Sequence, residues 1–170
     1  MQDFTQMTND CIRIGLANQI SSVKKLSLLS YKELKCYGGY SQYRLTAISK
    51  AAGILSAKKK SIKRGFKTKD PYVKRPILVS CYGFKIVNGK LRFPLGNKKF
   101  GEIPLTNHTL RVLDDDKSLT VRSFTLTERS LSLCISREVP EIARIRGAVG
   151  IDRNVGNLTV GNMDKSSTTI

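Results

Sequence analysis

The dipeptide Asn88-Gly89 is the feature of this sequence that most constrains its fold. It lies between residues 84–87 and 90–93, two runs in which apolar and polar side chains alternate. Both central positions of a two-residue hairpin turn need positive φ, which asparagine and glycine tolerate best. The pattern therefore predicts a β-hairpin.

The surrounding residues, 77 to about 139, also have the pattern of short strands. Pro94 and Pro104 are predicted to mark strand ends, because proline cannot donate a hydrogen bond to a sheet, and Pro140 closes the region. Two later strands are indicated by apolar residues at suitable spacing, Leu119, Val121 and Leu126 in one and Leu131, Leu133 and Ile135 in the other. Several short strands with turn signals predict a small antiparallel β-barrel or a curled sheet.

Residues 1–64 are predicted to be helical. The first helix has apolar residues at helical spacing and should end near Asn18. A second helix should be capped by Ser21 or Ser22 and stop at Gly38-Gly39, and a third should begin after Ser41. The apolar positions that predict a three-helix core are Phe4, Met7, Cys11 and Ile14, then Leu26, Leu29, Leu34 and Tyr37, then Leu45, Ile48, Ala52 and Leu55.

The charge balance favours a polyanionic partner. Thirty Lys and Arg residues against thirteen Asp and Glu give a net charge of +17 and an isoelectric point near 10. Because such self-repulsion weakens a compact fold, it usually persists where a polyanion neutralises it. Nucleic acid is the leading class of partner, and a merely basic protein is the alternative.

The positive charge is densest in residues 58–75, which we call the basic segment. It has only one acid, Asp70, and carries two interleaved aromatic residues, Phe66 and Tyr72. Its nine basic residues are Lys58, Lys59, Lys60, Lys63, Arg64, Lys67, Lys69, Lys74 and Arg75. We interpret the segment as a contact for the phosphate backbone, which gives affinity without sequence preference. A solvated linker is the alternative.

The remaining polar residues do not predict a zinc site. The cysteines are scattered, without a C-x-x-C pair, and we expect reduced, mostly buried thiols in a cytoplasmic protein; they are Cys11, Cys36, Cys81 and Cys134. His108 is predicted to lie in an exposed turn, and the acidic run 114–116 at a hairpin tip. No apolar run approaches the roughly 18 residues of a membrane span, so no membrane partner is expected.

A single carboxylate near the C-terminus has the setting of a metal ligand. Residues 148–151 form an apolar run that ends at Asp152, and a turn-like stretch and a second apolar run follow. We predict a hairpin of strands at 148–152 and 158–161. An isolated hairpin is marginal in water, so we expect it to be loosely held.

The order of these parts resembles the TnpB family, the OrfB transposase accessory proteins of insertion sequences. Their RuvC-like nuclease domain begins with G-[IV]-D-x-x-x-x-N-[LI], which Gly150-Ile151-Asp152 and Asn157-Leu158 match. Residues 29–34 (LSYKEL), 41–55 (SQYRLTAISKAAGIL) and 136–142 (SREVPEI) resemble other family segments. Many members have Leu-Gly after the aspartate; Arg153-Asn154 here resembles archaeal variants.

The resemblance implies a fold and a function. Residues 1–64 would be a helical recognition region, 65–140 the basic segment and a wedge-like antiparallel barrel, and 141–170 the first hairpin of an RNase H-like domain, in an α+β protein. Intact relatives are RNA-guided DNA endonucleases that bind guide RNA and DNA and use two Mg²⁺ ions. Asp152 would be both a catalytic residue and a metal ligand.

The same resemblance predicts that this chain alone is inactive. The family has a further catalytic Glu, a second Asp and a four-cysteine zinc element, which these 170 residues lack, so the chain is expected to be an N-terminal fragment. A single carboxylate is a poor Mg²⁺ site. Two other interpretations stay open, a stand-alone RNA-binding module and a phosphotransferase of the actin and sugar-kinase superfamily. Nothing in the sequence indicates an oligomeric state.

Overall fold

Helices and antiparallel sheets together build this protein, which confirms the α+β class. The computed structural model describes residues 1–96, 98–139, 149–154, 157–162 and 165–169, with side chains placed only in the first two ranges. The chain divides into two units, Met1–Arg137 and Glu138–Ile170. The interpretations placed on 140–148 lie outside the described residues.

The first unit begins with three α-helices and a short 3₁₀ helix. These are α1 (Gln2–Ala17), α2 (Val23–Ser30), the 3₁₀ helix (Glu33–Cys36) and α3 (Gln42–Lys63). The predicted end of α1 is confirmed, since the Asn18 side-chain amide and backbone N–H both donate to the Ile14 carbonyl. The Ser22 hydroxyl caps α2 by accepting from the Lys25 N–H at 3.4 Å, also as predicted.

The second helix is shorter than predicted. It ends at Ser30, whose buried hydroxyl donates to the Leu26 carbonyl at 2.8 Å, and the chain continues as the 3₁₀ helix. Serine hydroxyls compete with the backbone in this way and disfavour continued helix. Ser41 occupies the N-cap position of α3 as predicted, but its side chain makes no capping hydrogen bond.

The rest of the first unit contains six strands in two antiparallel sheets, with one helix between the fourth and fifth strands. The elements are β1 (Ile77–Ser80), β2 (Lys85–Val87), β3 (Lys90–Gly96), β4 (Lys99–Pro104), α4 (Asn107–Asp115), β5 (Thr120–Thr127) and β6 (Leu131–Ser136). The sheets have strand orders β1-β5-β6 and β2-β3-β4. Among the described strands, pairing gives two open sheets where the sequence had predicted a barrel or a curled sheet.

The hairpin predicted at Asn88-Gly89 is confirmed. Val87 pairs with Lys90 across the turn, and Asn88 and Gly89 have φ of 50° and 70°. The prediction that Pro94 ends a strand is wrong, because β3 continues to Gly96. An irregularity in the register between Pro94 and Gly96 accommodates the proline where β3 pairs with β4.

The acidic run 114–116 is not a hairpin tip. It forms the end of α4 and its C-cap, and His108 is helical, so both turn predictions are wrong. The Thr106 hydroxyl starts this helix by accepting from the Thr109 N–H at 3.2 Å. At the other end, Asp116 accepts from the Ser118 hydroxyl and N–H, and these bonds lower the pKa of its carboxyl group.

The helices and both sheets share one core, so the predicted three-helix core does not stand alone. The core positions predicted for Leu29 and Leu45 are wrong, because both side chains are exposed. Phe4 of α1 packs edge-on against Tyr43 of α3, with ring centroids 6.5 Å apart. Phe124 of β5 lies 5.4 Å from Phe84 and from Phe93, measured between ring centroids. These aromatic contacts bring together the two sheets, which share no strand pairing.

The prediction that the cysteines are mostly buried is wrong for three of the four residues. Cys11 is buried, whereas Cys36, Cys81 and Cys134 are exposed, and all four are free thiols. Cys134 lies at an outward position of β6, and the other two exposed cysteines lie at the end of the 3₁₀ helix and just after β1.

The second unit contains a three-stranded antiparallel sheet. Its strands are β7 (Val149–Asn154), β8 (Asn157–Asn162) and β9 (Lys165–Thr169), in that order. The predicted hairpin is confirmed at the level of backbone pairing, with Asp152 opposite Thr159. The third strand was not predicted, because its sequence, KSSTT, has no apolar residue to mark a buried face.

Candidate nucleic-acid interface

The basic segment begins on the last turns of α3 and reverses direction at Gly65. The Gly65 N–H donates to the Ile62 carbonyl at 2.9 Å, and the Phe66 N–H donates to the Ser61 carbonyl at 3.1 Å. Together with a φ of 85° at Gly65, these bonds form a Schellman motif. The sequence places a glycine here because a side chain would be strained in this conformation.

The chain that follows the reversal is held against the helices. Asp70 forms an ion pair with Lys58 of α3. The Asn9 side chain of α1 accepts from the Val73 N–H at 2.9 Å and donates to the Val73 carbonyl at 3.0 Å. These contacts argue against the alternative of a free, solvated linker.

The nine predicted contact residues fall into two groups. Lys58 is largely buried, with 17% of its side chain exposed, and its ion pair gives it a structural role. The other eight are exposed: Lys59, Lys60, Lys63, Arg64, Lys67, Lys69, Lys74 and Arg75. Phe66 and Tyr72, the two aromatic residues between them, are 64% and 71% exposed.

The electrostatic setting of these eight cations is favourable to an anion. Within residues 1–96 and 98–139, where side chains are described, none of the eight forms an ion pair with a carboxylate. The unit Met1–Arg137 carries 26 Lys and Arg residues against 9 Asp and Glu. Lys60 and Lys63 also lie in the last turn of α3, where the helix dipole favours positive charge.

Sequence reasoning missed two cations that the fold brings next to the basic segment. Lys50 of α3 and Arg129 of the β5–β6 turn line the same groove as Tyr72 and Arg75. Lys50 is an isolated lysine on a helix, and Arg129 lies 54 residues after Arg75. No local pattern connects residues so far apart in the chain.

The predicted catalytic residue Asp152 belongs to the second unit. Its backbone lies in β7, opposite Thr159, while its side chain is outside the described part of the structure. Among the residues whose side chains are described, no group of three or more His, Cys, Asp or Glu residues could hold a metal ion. The Asp152 side chain, the ligand of the Mg²⁺ site that the family resemblance implies, is not among them.

In the parts of the chain that the structure describes, no helix has the length and apolar character needed to cross a membrane.

Comparisons with known proteins add no family assignment. No protein-family model matches the sequence, and no curated protein is significantly similar to it.

Proposed function

We propose that this chain binds nucleic acid, chiefly through the phosphate backbone, and that the basic segment is its main contact. One observation carries the proposal. Eight exposed cations lie on the end of α3 and on the chain after Gly65, which is held against the helices by side-chain contacts. An anchored segment loses less conformational entropy on binding than a free linker, so more of its electrostatic attraction is retained as affinity.

The composition of the segment suits phosphate rather than an acidic protein surface. Lysine predominates, and its ammonium group binds phosphate as a point charge without a fixed geometry, which fits contacts that do not read sequence. Exposed Phe66 and Tyr72 add ring faces on which unpaired bases can stack. Such an interface should depend steeply on salt, because each phosphate contact releases counterions.

The wider context that we propose is the TnpB/OrfB transposase family. The order of parts supports it: three helices, the basic segment, short antiparallel strands and then the Asp152 hairpin. On this proposal the sheets β1-β5-β6 and β2-β3-β4 correspond to the wedge-like barrel, and the β7-β8-β9 sheet to the start of an RNase H-like domain. The partners would be a guide RNA and DNA.

The proposed activity of these residues is binding and not cleavage. Mg²⁺-dependent hydrolysis needs several carboxylates around the metal ions. Among the described side chains no such cluster is present, and the Asp152 side chain is not one of them, so we derive no catalytic step for it.

The proposal is tested by measuring affinity at several salt concentrations with matched charge variants. Lys59, Lys60, Lys63 and Arg64 are changed together to Gln, and binding of labelled single-stranded RNA and duplex DNA is followed by fluorescence anisotropy. Affinity should fall steeply between roughly 50 and 200 mM salt. The variant should bind more weakly and show a smaller salt slope, by about one for each phosphate that it no longer neutralises.

A control variant separates the basic segment from net charge. Changing Lys24, Lys25, Lys32 and Lys35 to Gln removes the same charge from exposed positions on α2 and around the 3₁₀ helix. This control should keep most of the affinity and salt slope. Affinity that is indifferent to salt, or an equal weakening in the two variants, would refute the basic segment as the main contact.

A further inference from the structure

A groove of about 740 Å³ lies between the middle of α3, the end of the basic segment and the turn that joins β5 to β6. We call it the α3–turn groove. Its polar and aromatic lining includes Lys50, Tyr72, Arg75, Glu128 and Arg129. Its volume is within the roughly 300–1,000 Å³ that is usual for small-ligand pockets.

The β5–β6 turn on one side of the groove is built rigidly. The Thr127 hydroxyl accepts from the N–H groups of Arg129 and Ser130 at 3.3 and 3.0 Å. The Thr127 N–H in turn donates to the Ser130 carbonyl at 2.9 Å. This network holds the backbone of Arg129 in a defined place before any ligand binds.

The opposite side of the groove is fixed as well. The chain from Tyr72 to Ile77 is attached to α1 by the paired hydrogen bonds between Asn9 and Val73. Farther along, the Ile77 N–H donates to the Thr5 hydroxyl at 3.0 Å. The groove is therefore preorganised, which lowers the entropic cost of binding.

The lining combines cations with an aromatic face, the two features that recognise a nucleotide. Among the described lining residues, Lys50, Arg75 and Arg129 supply three cations against a single carboxylate, Glu128. The Tyr72 ring is 71% exposed and, among the described residues, packs against no other aromatic ring. Cations that bind phosphates, together with a free aromatic face for a base, are typical of single-strand binding sites.

We infer that the α3–turn groove holds an unpaired nucleotide of a single-stranded nucleic acid. The base stacks on Tyr72, and the adjoining phosphates contact Lys50, Arg75 and Arg129. A base inside a duplex is already stacked on both faces, so duplex DNA cannot use the tyrosine in this way. This inference rests on the proposed function and adds that the protein prefers single-stranded to duplex nucleic acid.

The test compares single-stranded and duplex oligonucleotides of one sequence, with three tyrosine variants. Tyr72→Ala should weaken binding of the single strand by roughly tenfold and leave duplex binding nearly unchanged. Tyr72→Phe keeps the ring and should bind as the unchanged protein does. Tyr82→Ala is the matched control, since Tyr82 is an exposed tyrosine, 53% accessible, outside the groove.

A charge variant tests the groove independently of stacking. Glu128→Gln removes the only carboxylate among the described residues that line the groove and should tighten single-strand binding several-fold. Glu33→Gln makes the same change at an exposed site on the 3₁₀ helix, away from the groove, and should have a smaller effect. Equal tightening in both variants would show that only net charge matters and would overturn the inference.

The outcomes separate this inference from the proposed function. The groove assignment fails, and the proposed function stands, if the variant of Lys59, Lys60, Lys63 and Arg64 binds more weakly but Tyr72→Ala does not. The same holds if Tyr72→Ala weakens the binding of single strand and duplex equally. If neither variant weakens binding, both fail. Thermal unfolding of each variant shows that the fold is kept, which the exposure of Tyr72 leads us to expect.

Discussion

The Tyr43 hydroxyl donates a 2.6 Å hydrogen bond to the carbonyl oxygen of Pro94. This bond joins α3, the longest of the described helices, to β3 at the place where the register of that strand becomes irregular. Tyr43 is buried, and burial, with a smaller contribution from Tyr40, raises the pKa of its hydroxyl group. The tyrosine thus ties the helices to the β2-β3-β4 sheet through a polar bond inside the shared core.

Removing this hydroxyl should destabilise the fold. Tyr43→Phe keeps the ring but leaves the Pro94 carbonyl without its donor, and we expect the free energy of unfolding to fall by about 1–2 kcal/mol. Urea denaturation measures the change. Tyr82→Phe alters an exposed tyrosine and should be nearly neutral; an equal effect of both variants would contradict a special role for the Tyr43 bond.

Replacing either of two helical glycines by alanine should change the stability of the protein, but in opposite directions. A Cβ on Gly53 of α3 would meet no atom within 4 Å, so Gly53→Ala should stabilise the protein by up to about 1 kcal/mol through helix propensity. A Cβ on Gly15 of α1 would collide with the Leu55 side chain and lie 2.9 Å from the Ile20 carbonyl oxygen. Gly15→Ala should therefore destabilise.

Thermal and urea unfolding of the two glycine variants provide the measurement. The sign of each change is the result that matters, since intrinsic propensity alone favours alanine at both positions. Stabilisation by Gly15→Ala would mean that α1 and α3 are not packed as closely as the structure has them.

The four thiols should differ in their reactivity. Cys36, Cys81 and Cys134 are exposed, whereas burial raises the pKa of the Cys11 thiol to about 11 and shields it from reagents. Alkylation of the folded protein, followed by mass spectrometry, should modify three cysteines quickly and Cys11 only after unfolding. Rapid modification of Cys11 in the native state would contradict the packing of α1.

The Cys11 thiol should also make stability depend on alkaline pH. Its pKa is raised from 9.0 to about 11 in the folded state, mainly by burial, so the unfolded chain loses this proton first. The contribution is fully present below pH 9 and should decline as pH rises towards 11, by up to about 3 kcal/mol. Burial of Tyr43 and Tyr37 acts in the same direction at higher pH.

A cysteine variant isolates this effect. In Cys11→Ala the free energy of unfolding should fall less steeply between pH 9 and 11 than in the unchanged protein, whereas Cys134→Ala should keep the original slope. Identical slopes in all three proteins would show that the Cys11 thiol does not account for the alkaline loss of stability.

Some of the fold follows from short stretches of sequence. Asn88 and Gly89 define a turn between two residues that pair directly, and Asn18 and Ser22 bond to atoms within four residues of themselves. The exposed cations of the basic segment were likewise foreseeable, since a dense run of lysines cannot be buried. In each case the deciding interaction is local.

Other features required contacts that no short stretch contains. The Pro94 carbonyl finds its donor on Tyr43, 51 residues away, in a β3 strand that the sequence alone would have ended. Asn9 is hydrogen-bonded to Val73, 64 residues away, and this contact attaches to α1 a segment that the sequence alone could equally describe as a linker.

The α+β class, the main hairpin, several helix ends and the charge that favours an anionic partner can all be predicted from the sequence. The path of the basic segment and the meeting of Lys50, Tyr72 and Arg129 at one groove depend on the folded chain. Turns, caps and net charge depend on neighbouring residues, whereas a groove exists only when distant elements pack on a common core.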